Sequence, residues 1–67
     1  MEKGWEKILV TSNEIKIEIA RQILDDMDIE AIILNKKDSS YQFGDIEIYV
    51  KRDDILNAKQ ALKGLEP

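Results

Sequence analysis

Asp45-Ile46-Glu47-Ile48-Tyr49-Val50-Lys51 alternates polar and apolar side chains along its whole length. Successive side chains of a strand point to opposite faces, so Ile46, Ile48 and Val50 are predicted to face a core while Glu47 and Tyr49 face away. Upstream, Ala31-Ile32-Ile33-Leu34 is too short and too β-branched for a helix and reads as a mostly buried strand, a natural antiparallel partner for the first.

Working outward, Trp5 to Val10 ends in Ile8-Leu9-Val10 and runs into Thr11-Ser12-Asn13, a strand followed by residues suited to capping a helix. Thr11 and Glu14 stand at capping-box spacing, and Ser12 and Asn13 are alternative caps. From Glu14 onward, Ile15, Ile19, Ala20, Ile23, Leu24 and Met27 recur at the three-and-four spacing of one apolar helix stripe, with Ile17 off it. Asp28 stands at the exit, where Gly is favoured. After the quoted strand, Arg52-Asp53-Asp54 forms an acidic helix start, and Ile55, Ala58, Ala61, Leu62 and Leu65 form an apolar face that stops near Gly64.

The predicted order is β 5–10, α 13–27, β 30–35, β 45–51 and α 53–63, within one domain spanning 1–67. A right-handed β-α-β unit whose third strand inserts between the first two is a split βαββα arrangement. The expected fold is therefore α+β and ferredoxin-like: a three-stranded, mostly antiparallel sheet with two helices on one face, lacking the last strand of the plait. The first strand then has a free edge, and Trp5, Leu9 and Tyr49 are candidates for an interface on the helix-free face.

Sixty-seven residues allow one core, and 43% apolar with 36% charged residues fits a folded globule. There is no Cys and no His, which removes disulfides, most metal sites and the usual nucleophile–base pairs. Neither a cofactor nor a resident metal is expected. The paired carboxylates Asp45 and Glu47 are expected on an exposed strand face, and no enzyme activity is expected. A net charge of −4 repels polyanions, so nucleic acid is not an expected partner. The start of the chain carries no basic segment followed by an apolar run, and no stretch reaches the roughly 18 apolar residues of a membrane span. The expectation is a mature, soluble, cytoplasmic chain with no membrane contact.

The connection from Asn35 to Gly44 is longer than an ordinary hairpin loop and rich in hydrogen-bonding groups. Lys36 and Lys37 supply charge, Ser39 and Ser40 hydroxyls, Asn35 and Asp38 acceptors, and Tyr41 and Phe43 aromatic cover. With Ser12 and Asn13 at a helix start, these residues make a candidate site for a small anion or a partner. A self-satisfied turn, in which Asp38, Ser39 and Ser40 bond their own backbone, accounts for the same residues. At the opposite end Asp25, Asp26 and Asp28 oppose a helix dipole, without the spacing of a calcium loop.

The run Asn35-Lys36-Lys37-Asp38-Ser39-Ser40-Tyr41, then Phe43-Gly44 and Ile46-Glu47-Ile48-Tyr49-Val50, resembles a small bacterial family of unknown function described as "putative signal-transducing protein". Ile19-Ala20 and Ile29-Glu30-Ala31 carry the same resemblance. It implies a ferredoxin-like fold and a link to signal transduction, and it supplies no catalytic residues. Asp28 departs from the Gly that members of that family commonly carry. The expected function is a non-enzymatic binding or regulatory module responding to a small anion or a protein partner. The alternative is a homodimeric or heteromeric interaction domain with no small-molecule ligand.

Overall fold

In a computed structural model, which describes residues 4–36 and 45–65, Ile46–Lys51 is the central strand of the sheet. The chain runs β1 (Trp5–Thr11), α1 (Glu14–Asp26), β2 (Ala31–Asn35), β3 (Ile46–Lys51), a 3-10 turn (Arg52–Asp54), α2 (Ile55–Ala61) and a second 3-10 turn (Lys63–Leu65). The strand order is β1-β3-β2, with both outer strands antiparallel to β3. This is the ferredoxin-like βαββα arrangement with three strands.

Alternation in β3 does what its sequence dictates: Ile46, Ile48 and Val50 are buried against the helices. They meet Leu9, Ile17, Ala20, Leu24, Ile29, Ala58 and Leu62 in one core. Leu24, Ile48, Val50 and Leu62 are its largest fully buried side chains, each stabilising the fold by about 1.5–3 kcal/mol through removal from water.

Three expectations are corrected. First, the buried side of α1 is carried by Ile17, Ala20 and Leu24, while Ile15 (73% exposed), Ile19 and Met27 lie outside. Two apolar stripes overlap on this helix, and the sheet takes the one containing Ile17. Second, Leu9 does not lie on the helix-free face. The β1–β3 register shifts between Lys7 and Leu9, and this irregularity lets both Ile8 and Leu9 enter the core. Third, Ala31, Ile32, Ile33 and Leu34 are all half-buried, because β2 is an edge strand covered on one side only.

The ends of α1 follow local chemistry. Asn13 is the N-cap, its Oδ1 accepting from the N–H groups of Ile15 at 2.9 Å and Lys16 at 3.1 Å. Thr11 Oγ1 in turn accepts the Asn13 N–H at 3.1 Å. At the exit, Asp28 adopts φ 58°, Ile29 N–H donates to Leu24 O at 2.9 Å and Asp28 N–H to Asp25 O at 3.0 Å. This bond pair is a Schellman closure with Asp at the left-handed position that glycine usually fills. It drops Ile29 into the core beside Leu24. No helix among the described residues is long and apolar enough to cross a membrane.

Candidate functional site

Because both helices cover one side of the sheet, the other side is a surface of its own, and cross-strand register determines what it carries. Val10, Glu47 and Leu34 stand in one row; Lys7, Tyr49 and Ile32 in the next; Trp5 and Lys51 in a third. Val10 is 44% exposed, and Trp5, Ile32, Leu34 and Tyr49 are half-buried. The Lys51 ammonium sits over the Trp5 ring, 5.8 Å from its centroid.

Glu47 occupies the centre of this surface. It was expected to be exposed, yet only 7% of it is. Three donors hold its carboxylate: the Tyr49 hydroxyl at 2.8 Å and the Lys36 ammonium at 3.2 Å on Oε1, and the Lys7 ammonium at 3.5 Å on Oε2. The Tyr49 hydrogen bond, followed by Lys36 and Lys7, lowers the Glu47 pKa against the opposing effect of burial. The same hydrogen bond, aided by burial and by the Glu47 charge, raises the Tyr49 pKa. Glu47 is therefore a fixed anion held by Lys7 and Lys36, each about half exposed, while Lys51, also about half exposed, pairs at 3.5 Å with the exposed carboxylate of Glu30.

The sheet register puts Thr11, Ile46 and Asn35 side by side, so Ser12, Asn13, Asn35 and Lys36 share one end of the domain. Asn13 Oδ1 caps α1, Ser12 is exposed, and Lys36 turns to Glu47. Asn35 ends β2 as an exposed residue. Lys37, Asp38, Ser39, Ser40 and Tyr41 lie outside the described residues, as do Phe43 and Gly44. Of the interface candidates, Trp5 and Tyr49 lie on the open face and Leu9 lies in the core. At the acidic end, the described residues hold no group of three acidic side chains converging as metal ligands do.

Sequence reasoning passed over Val10, Ile32, Leu34 and the Glu47 cluster. Parity was the available signal. Glu47 and Tyr49 are two apart on one strand, and an antiparallel neighbour brings Lys7 to the same side.

Residues 5–66 match the family described as "putative prokaryotic signal transducing protein", and the chain belongs to that family. No curated protein and no solved structure matches it.

Proposed function

We propose that this member of the family is a non-enzymatic, cytoplasmic regulatory module that passes its signal by protein contact through the open face of the sheet. The observation that carries this reading is the row of apolar side chains left outside the core: Val10, Ile32 and Leu34, on the side that also bears Trp5 and Tyr49. Aromatic and aliphatic groups grouped on one exposed face are what a protein interface uses. The family's description as signal-transducing supports the regulatory half of the reading.

The charge of the face narrows the partner. The chain carries a net charge of −4, but three half-exposed lysines, Lys7, Lys36 and Lys51, gather here against one buried carboxylate, Glu47, and one exposed carboxylate, Glu30 beside Lys51. A protein surface that brings apolar groups to Val10, Ile32 and Leu34 and acidic groups to the lysines fits this arrangement. Protein contact is favoured over a small anion because Asn13 and Lys36 already have partners within the chain.

Affinity capture from an extract of the native host tests the proposal. The wild-type chain and a Leu56→Lys control, altered on the exposed side of α2, should retain the same protein. A Val10→Lys/Leu34→Lys variant should lose it, and retention should weaken with added salt. Equal retention by all three forms would overturn the assignment of the face.

A further inference from the structure

We propose that two copies of the chain pair through the free edge of β2, antiparallel and centred on Ile33, to form a continuous six-stranded sheet. The partner at this edge is a second copy, and it is independent of whatever binds the open face.

The two outer strands differ in how they meet solvent. β1 carries Glu6 and Lys7 and an irregularity before Leu9, the charge and bulge that discourage edge pairing. β2 has neither. Its register with β3 is regular from Ala31 to Asn35, and Ala31-Ile32-Ile33-Leu34 presents four consecutive apolar residues that are only partly buried. Beside it runs an open groove of about 360 Å³ between α1 and the strand, lined by Arg21, Asp25, Ile29, Glu30, Ala31 and Ile33.

Backbone parity selects the pairing. In an antiparallel ladder, alternate residues direct both N–H and C=O toward the same neighbour. Lys36 N–H donates to Asp45 O at 2.9 Å, one step beyond the Asn35–Ile46 pair. Even-numbered residues of β2 therefore bond to β3, and Ala31 and Ile33 direct their amides and carbonyls to the free edge. A two-fold pairing centred on Ile33 sets these two Ile33 residues opposite each other as a hydrogen-bonded pair.

Side chains and charges then agree with the same register. Ile32 faces Leu34 of the second copy on the open side of the sheet. Glu30 faces Lys36 of the second copy, and the symmetry makes that charge pair twice. Centring on Ile32 or Leu34 would set Glu30 opposite Leu34 or Lys36 opposite Ile32 and lose both pairs. Within one chain Glu30 pairs with Lys51 and Lys36 with Glu47; with side chains 63% and 59% exposed, both can also reach a second chain, so the new pairs add to or exchange with the existing ones. The groove is self-complementary too, since it offers Arg21 together with Asp25. A two-fold axis perpendicular to the sheet puts both helix layers on one side and joins the two open faces on the other.

Sedimentation of the full chain from micromolar to millimolar concentration should show the mass rising from 7.8 kDa toward twice that value. The register is read separately. The chain has no Cys, so Glu30→Cys and Lys36→Cys variants can be mixed in equal amounts and oxidised mildly. Mass spectrometry should find the mixed disulfide dominating both homodisulfides, because positions 30 and 36 of different copies are opposite. A monomer at all concentrations overturns the proposal, and so does a dimer without that preference. Val10 lies on β1, outside this pairing, so a Val10→Lys variant tested for capture addresses the open-face reading alone; a chain that captures its partner as a monomer would separate the two.

Discussion

The Tyr49 hydroxyl donates to Glu47 Oε1 at 2.8 Å on the side of the sheet that no helix covers. Two residues apart on one strand share a face, so β3 alone sets up this bond, and β1 and β2 complete the cluster through Lys7 and the residue just past β2, Lys36. The result is a buried carboxylate with its donors supplied, framed by Val10 and Leu34 in the adjacent strands. It lets a polar group occupy the middle of the open face without an unsatisfied charge.

Glu47 makes the fold acid-sensitive in a defined direction. Its pKa in the folded chain is lowered, first by the Tyr49 hydrogen bond and then by Lys36 and Lys7. A lowered carboxylate contributes stability that is present above its unfolded value and is lost as pH falls through the folded one. Thermal melts of wild type and Glu47→Gln should therefore differ most near neutral pH and converge below the ordinary glutamate range. Parallel curves down to that pH would contradict the assignment.

Tyr49 reports on the same bond from the alkaline side. Its pKa is raised, chiefly by donating to Glu47. The stability it contributes is present below the ordinary tyrosine range and is lost as pH rises through the raised value. In a Tyr41→Phe background, which leaves Tyr49 as the sole tyrosine, phenolate absorbance should appear later than for free tyrosine. Adding Glu47→Gln should move it back; an ordinary titration in both forms would exclude the bond in solution.

Asp28 closes α1 at φ 58°, a conformation that side chains with a Cβ resist. Replacement by Gly should raise stability by about 1 kcal/mol, from relief of that conformation and removal of a negative charge at a helix C-terminus. Urea denaturation measures it, and a loss of stability in Asp28→Gly would show that the Asp side chain has a role of its own.

The correction to α1 can be tested by a pair of truncations. Ile17 is 6% exposed and Ile15 is 73% exposed. Ile17→Ala should cost about 2–4 kcal/mol and Ile15→Ala about 0.5 kcal/mol or less, measured by denaturant unfolding. The reverse order would put the core on the stripe containing Ile15.

That pair also shows what was legible in the sequence and what was not. Ile46, Ile48 and Val50 declared the central strand by alternation alone, and the order of elements with right-handed crossover was enough for the topology. On α1, however, Ile15 and Ile19 satisfy helical spacing as well as Ile17, Ala20 and Leu24 do, and only contact with the sheet decides between them. Leu9 was misplaced because a register shift has no marker in Lys7-Ile8-Leu9. Ala31 to Leu34 looks like a buried strand whether it is central or at an edge. Glu47 needed Lys7, 40 residues away in sequence, to be recognised as held rather than exposed.

Photocrosslinking in the native host tests whether the open face of the sheet is where this domain meets its partner. A photoreactive amino acid at Val10 or Leu34 should yield a covalent adduct with the same protein, and one at Leu56, on the exposed side of α2, should yield none. An adduct formed at Leu56 and absent from Val10 and Leu34 would contradict it.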